Sequence, residues 1–400
     1  MAASTSSRRF IDALVEELSI SDTRYEQAND SYQSLGRWLN RSDSAIAKYD
    51  PAVYVQGSFG LGTVIKPLNL DEEYDIDAVC ELKRLSKASL SQERLKIFLG
   101  REIEAYRKSK NMVKPLHEGR RCWTLNYADG AQFHMDVVPS LPNGTEVRKM
   151  LEARSLNAHW AGTAIAITDN ERSDYRLITD DWPRSNPKGY LEWFKSRMIV
   201  VLNERKEKLA KSISASVEDI PDYRVQTPLQ ASIMILKRHR DMMFENDEIN
   251  CSPISIIITT LAAHAYSGEE DIADALLAIL SGMDRYIERD QHNTAIIRNP
   301  SDPMENFADK WTEFPERERS FYAWLRQARD DFAKVAGLND PQIISEALSP
   351  HVGVELAKRA KDRALGGSGT LLRGAVAASG AAAPSFGAGP RVPSKPKGFA

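Results

Sequence analysis

The chain has 400 residues, 42% hydrophobic and 27% charged, with a formal net charge of −3. That length suits one large or two ordinary globular domains, and that charge excludes a chain drawn to nucleic acid by bulk electrostatics. No apolar run approaches about 18 residues, and the start "MAASTSSRRF" lacks an apolar stretch, so a cytoplasmic protein with no membrane span or secretion signal is expected.

The first fifty residues read as helix, with Phe10, Leu14 and Leu18 and then Tyr32, Leu35 and Leu39 at helical spacing. Asp50-Pro51 closes that part. "AVYVQGSF" and "YDIDAVCEL" alternate as strands do. Leu90 to Lys110 is an amphipathic helix. "RCWTLNYADGAQFHMDVVPS" holds two strands around Asp129-Gly130, a hairpin signal, and "TAIAITD" adds a short strand. From "NPKGYLEWF" onward the pattern is helical. The expected class is therefore α+β, with residues 1–50 helical, 51–185 mixed, 186–348 a helical lobe, 349–364 its end and 365–400 a tail. The tail has no acids and is dominated by Gly, Ala, Ser and Pro, a composition that cannot offset its ordering entropy. Cys80, Cys122 and Cys251 lie far apart, match no zinc spacing and read as reduced, mostly buried thiols.

Asp75 and Asp77 are two apart, so in a strand they share a face, while Tyr74, Ile76 and Ala78 share the other. Two adjacent carboxylates repel and call for a cation. Mg²⁺ takes oxygen ligands and keeps positions for water and substrate phosphates. A third carboxylate, Asp136 in "FHMDVVPS", sits in an apolar run where a lone charge is costly unless paired or metal-bound. D-x-D alone fits a charged sheet edge at least as well as a metal site. The third aspartate and the turn before the pair favour the metal. By strand parity His134 shares the face of Asp136; a hydrogen-bonded strand histidine is its plainer reading.

The turn is "GSFGLGTVIKP". It is not a Walker A loop, since no Gly-Lys-Ser/Thr follows. Gly57 lets a ligand approach the backbone, and Ser58 offers a hydroxyl and an N–H. If "FGLGTVI" opens a short helix, its first amides favour an anion. An ordinary strand-to-helix turn would look the same in isolation.

Gly57-Ser58, then Asp75-x-Asp77, then Asp136 together resemble the nucleotidyltransferases of the DNA polymerase β superfamily. With "SNPKGYLEWF", "LKRHRD" and "NPSDPMENFADKW", the chain from about Val53 to Trp311 is similar to the bacterial cGAS/DncV-like nucleotidyltransferases (CD-NTases). The resemblance implies a polymerase β-like core of mixed sheet and helices, a helical C-terminal lobe, N-terminal helices packing across both, and an active site in the cleft between core and lobe. It implies NTP substrates, ATP or GTP above all, joined with two Mg²⁺ (Mn²⁺ as a substitute) into a cyclic di- or trinucleotide second messenger in CBASS anti-phage defence. Asp75 and Asp77 would hold both ions, Asp136 the one that activates the attacking hydroxyl, and Gly57 and Ser58 the β/γ-phosphates.

The family also places a phosphate-binding Lys on a lobe helix and a Ser on the next. Those map to Lys237, with Arg238 and Arg240 as rivals, and to Ser255. A solvated basic face and a helix-start Ser are the competing readings. "NPSDPMENFADKW" also resembles an Asp-Pro-rich loop of the 2′-5′-oligoadenylate synthetases, with Asp302 and Asn306 as base-side contacts or as parts of a structural loop. A ubiquitin-transfer-like companion acting on the C-terminus is a further implied partner; no membrane and no stable nucleic-acid partner are expected. Linear, oligoadenylate-like synthesis and an inactive nucleotide-binding module are the alternative functions.

Overall fold

In the computed structural model, which describes residues 3–67, 74–127, 133–218 and 220–366, the alternating segments are strands. They are β1 (Pro51–Val55), β2 (Tyr74–Leu82), β3 (His117–Glu118), β4 (Trp123–Tyr127), β5 (Phe133–Pro142), β6 (Ile165–Ile167) and β7 (Arg184–Ser185). Among the described residues they form one seven-stranded sheet of order β1-β2-β5-β4-β3, with β6 beside β5 and β7 beside β6. The sheet is mixed. β2 and β5 run parallel, whereas β1 with β2 and β4 with β5 are antiparallel.

Helices run in chain order as α1 (Thr5–Leu18), α2 (Asp22–Leu39), α3 (Gly57–Leu61), α4 (Gln92–Ser109), α5 (Gly144–Glu152), α6 (Pro187–Ile213), α7 (Pro228–Met243), α8 (Ser255–Ala265), α9 (Ile272–Gly282), α10 (Lys310–Glu313), α11 (Pro315–Ala336), α12 (Pro341–Val352) and α13 (Val354–Leu365). None is long and apolar enough to cross a membrane.

The described residues fall into two compact units. One comprises residues 21–60 and 67–191, the other 3–20, 61–66 and 192–366. In the sheet unit, Ile76, Ala78, Cys80 and Leu82 of β2 join Met135 and Val137 of β5 and Leu125 of β4 in a core roofed by α2 and α4. Fully burying side chains such as Ile76 or Leu82 contributes roughly 1.5–3 kcal/mol each. A Cβ at Gly100 of α4 would meet the Trp123 ring, so helix and sheet approach closely only because that position has no side chain.

In the helical unit, α1 is capped by Ser4 and buries Phe10, Leu14 and Leu18; α13, α9 and α7 are among its neighbours. α7 starts with a capping box, Thr227 accepting from Gln230 N–H while the Gln230 side chain accepts from Thr227 N–H. A hairpin of β8 (Glu288–Arg289) and β9 (Ala295–Ile296) and another of β10 (Arg298–Asn299) and β11 (Asp302–Asn306) interrupt the helices.

Three details differ from the expectations or add to them. The units part at 191/192, inside α6, not at 185/186; Pro187 starts a continuous 27-residue helix there, as proline at a first turn does. The helix expected over "FGLGTVI" begins earlier, at Gly57, and ends at Leu61, because Gly62 takes a left-handed backbone (φ 66°). The two N-terminal helices divide, α1 belonging to the helical unit and α2 to the sheet unit. The Asp129-Gly130 turn, the acids Asp71, Glu72 and Glu73, and residues 367–400 of the tail lie outside the described residues.

Candidate active site

The pleat of β2 sends Asp75, Asp77, Val79 and Glu81 to the face opposite the core. The parallel register sets Asp75 beside His134 and Asp77 beside Asp136. The antiparallel register of β4 then sets Thr124 beside Asp136 and Asn126 beside His134. All three predicted aspartates therefore share one face, within two adjacent strands. Further along, the face turns apolar: Val79, Ile165 and Ile167 are buried there with Tyr54 and Val138 against them. The three aspartates thus lie at one end of the face, beside an apolar stretch whose low polarity strengthens electrostatic interactions.

Each carboxylate has a distinct setting. Asp136 Oδ1 accepts a 2.5 Å hydrogen bond from Thr124 Oγ1, which fixes its rotamer. Asp75 is exposed and its carboxylate lies against His134 Nε2. Asp77 lies under the turn. Gln56 N–H donates to the Asp77 carbonyl (2.8 Å), so the chain leaves β1 directly over β2. Gly57 follows with φ 59°, and a Cβ built on it would collide with the Asp77 carboxylate. Glycine is required there twice, for the left-handed backbone and for the close approach. Gly57 and Ser58 then open α3. With five residues it offers first-turn N–H groups more than a helix dipole.

Three carboxylates on one face, one of them exposed, one bonded to Thr124 and one under Gly57, are an oxygen-rich donor set that fits Mg²⁺, a hard cation that keeps positions for phosphate oxygens. At the far end of the face, Lys188 Nζ pairs with Glu81 Oε2 (3.0 Å) and lies over the Tyr54 ring (3.9 Å). Burial, and then Glu81, push the Tyr54 hydroxyl pKa well up. Among the thiols, burial and then Asp136 raise Cys122 to about 11, and burial raises Cys80 to about 12, so both stay protonated.

The remaining predicted residues lie in the helical unit. Lys237 is buried, and its Nζ donates to the Thr63 carbonyl (3.0 Å). Arg238 donates to the Lys66 carbonyl. Ser255 is the first residue of α8, and its Oγ accepts from Arg240 (2.9 Å), which also reaches the Pro253 carbonyl and Asp241. Ser255 is thus joined to Arg240, the rival cation, rather than to Lys237. In the β10–β11 hairpin, Asn306 accepts from Ile297 N–H and Ala308 N–H and donates to the Ala295 carbonyl. Asp302 is buried and accepts from Met304 N–H at 3.3 Å. These bonds are those of a structural loop.

Sequence reasoning missed Thr124 and the His134–Asp75 pair. Both depend on which strands are neighbours and in what register. Parity placed His134 on the right face but could not name its partner.

Residues 5–174 match the family model described as SMODS, the Second Messenger Oligonucleotide or Dinucleotide Synthetase domain. A c-di-GMP synthase of Roseivirga ehrenbergii is 28% identical over 346 residues, covering 84% of this chain and 82% of that protein. The cyclic dinucleotide synthase CdnG of Bradyrhizobium diazoefficiens is 25% identical over 321 residues, 76% of this chain and 70% of the relative. Among solved structures, the B. diazoefficiens CdnG complex with GTP superposes with a TM-score of 0.66 at 19% identity, over 89% of this chain and 98% of that one. The Vibrio cholerae cyclic AMP-GMP synthase DncV with a linear intermediate gives 0.55 at 13% identity, over 90% and 98%. These two likenesses concern the fold.

Proposed function

We propose, for a chain that belongs to the bacterial cGAS/DncV-like nucleotidyltransferases, that it joins purine NTPs into a cyclic dinucleotide second messenger. The observation that carries this reading is that Asp75, Asp77 and Asp136 share one face of two parallel strands, with Gly57 over Asp77. The names of the similar synthases support a cyclic dinucleotide over a larger ring, and GTP as one substrate.

Asp75, Asp77 and Asp136 would hold two Mg²⁺. Bound there, the metal neutralises phosphate charge and lowers the pKa of the attacking hydroxyl. The protein's own residues do the rest. Gly57 and Ser58 present backbone N–H groups and a hydroxyl to the β/γ-phosphates of the donor. Thr124 holds Asp136 Oδ1, and Asp136 would take the proton of the attacking hydroxyl. An oxygen–phosphorus bond forms at the α-phosphate while the bond to pyrophosphate breaks in line, and a second such step closes the ring. His134 steadies Asp75 at the exposed edge.

The test is incubation with all four NTPs and Mg²⁺, then phosphatase. A phosphatase-resistant product that vanishes with Asp75→Ala/Asp77→Ala is expected. Only elongated, phosphatase-sensitive chains would mean linear synthesis, and nucleotide binding without product an inactive module. The messenger would serve CBASS defence in the cytoplasm, so a host carrying the intact locus with Asp77→Ala should lose phage resistance. A companion acting on the C-terminus would fail to conjugate a chain lacking Gly398 to Ala400; conjugation that survives the deletion sinks that idea.

A further inference from the structure

Away from the sheet, three metal-ligating side chains from three helices converge inside the helical unit. His239 of α7 is fully buried. Asp331 of α11 is 12% exposed and His351, in the last turn of α12, is 28% exposed. Asp331 Oδ2 lies 3.0 Å from His239 Nε2 and 3.2 Å from His351 Nδ1. The three ligand atoms all fall within 4.8 Å of one another. The imidazole rings stack 5.6 Å apart at 11°. Gln327, one helical turn before Asp331, braces the carboxylate with Nε2 at 3.0 Å from Oδ1 and 3.1 Å from Oδ2. Trp324 and Phe332 close the apolar side of His239.

We infer that His239, Asp331 and His351 form a binding site for a divalent transition metal, Zn²⁺ in the first instance, separate from the carboxylates of the sheet. Two imidazoles and one carboxylate are the donor set of borderline metals, while Mg²⁺ and Ca²⁺ prefer all-oxygen sites. Zinc bonds of about 2.0–2.1 Å at tetrahedral angles put ligand atoms roughly 3.3 Å apart. Both nitrogen–oxygen separations are close to that edge. An aspartate serving two histidines only as a hydrogen-bond acceptor can offer one oxygen to each; here both rings meet at Oδ2. The amide on the carboxylate's outer side is the support that metal-ligating carboxylates receive. The partly open His351 side leaves room for water as fourth ligand. A metal there would tie α7, α11 and α12 together, and α7 carries Lys237 two residues before His239.

The experiment uses the full-length, tag-free protein, stripped with EDTA and dialysed. Zn²⁺ is titrated calorimetrically and counted by elemental analysis, and Co²⁺ is followed by its visible absorption. We expect one tightly held Zn²⁺ per chain, the intense bands of four-coordinate Co²⁺, and a rise in Tm on adding Zn²⁺. The Asp75→Ala/Asp77→Ala chain should keep all three. His351→Ala and Asp331→Asn should lose them while keeping the far-UV spectrum of the parent, and His351→Cys should restore Zn²⁺ binding. A wild-type chain that binds no Zn²⁺, or Zn²⁺ that is retained by His351→Ala and lost by Asp75→Ala/Asp77→Ala, would overturn the inference. None of these readouts depends on nucleotide synthesis.

Discussion

The sheet unit and the helical unit handle charge in opposite ways. In β2 the strand period of two separates Ile76, Ala78, Cys80 and Leu82, which are core, from Asp75 and Asp77, which are not. In α7 every residue from Pro228 to His239 is buried, and no polar stripe marks a face. Lys237, Arg238 and Arg240 each reach a different backbone carbonyl. A strand residue's face follows from counting, so three aspartates could be brought together from the sequence. A helix buried all round has no such reference, and its basic residues could not be ranked.

The most severe way to break the sheet arrangement is to alter Asp77. Asp77→Asn keeps size but removes a charge at the centre of the carboxylate cluster. Activity should fall roughly 10³-fold or more, about 4 kcal/mol of transition-state stabilisation, with nucleotide binding and fold retained. Gly57→Ala comes next. A left-handed alanine costs about 1–2 kcal/mol, and its Cβ must displace the Asp77 carboxylate. Turnover should drop about 10²-fold, and a Gly57→Ala enzyme with unchanged kcat would show that Asp77 is not held under the turn.

How far these features could be read ahead of the structure follows from the same physics. The strands, the acid face and the Gly-Ser turn were legible because they depend on local period and local backbone freedom. The order of strands was not. That β5 lies parallel to β2 with Asp136 opposite Asp77 depends on a crossover through α4, β3 and β4, which no local pattern encodes. Thr124 looked like any strand threonine until register put it against Asp136. The start of α6 was legible, but the units part inside it, because Asn186-Pro187 carries the same signal at a helix start as at a domain edge. His239, Asp331 and His351 come from three helices far apart in sequence, with no motif spacing.

Two substitutions sharpen the contrast. Lys237→Met keeps an aliphatic stem in the buried slot and removes the ammonium. As a phosphate contact Lys237 should cost about 10–100-fold in kcat/KM, mainly through KM; as a brace for Thr63 alone it should lower Tm and leave KM where it was. Thr124→Val removes the hydroxyl beside Asp136 at constant shape. The expected loss is about tenfold, with a weaker apparent affinity for Mg²⁺. Saturating Mg²⁺ should recover part of it, which a purely structural threonine would not allow.

The smallest effect separates the two units by the sign of their pH dependence. Asp12, on α1 of the helical unit, is raised to about 7 by burial and then by Asp271, with Arg205 and Arg8 pulling the other way. Its folded pKa exceeds the ordinary 3.8, so the folded chain holds the extra proton between those values. Stability from this group is complete below about 4 and is lost as pH rises through about 7. Asp169, in the sheet unit, has the opposite sign. Burial acts to raise it, but hydrogen bonds from Arg120, Glu171 N–H and Arg121 bring it to about 2. Its contribution is present above about 4 and is lost as pH falls through about 2. Asp12→Asn should therefore flatten the decline in Tm between pH 4 and 7 and make the chain more stable at pH 8, by about 1 kcal/mol after allowance for solvent screening. Synthesis should be unchanged. A Tm profile identical to the parent's would show that Asp12 ionises without cost, and that α1 is wetter than its packing against α13 and α9 implies.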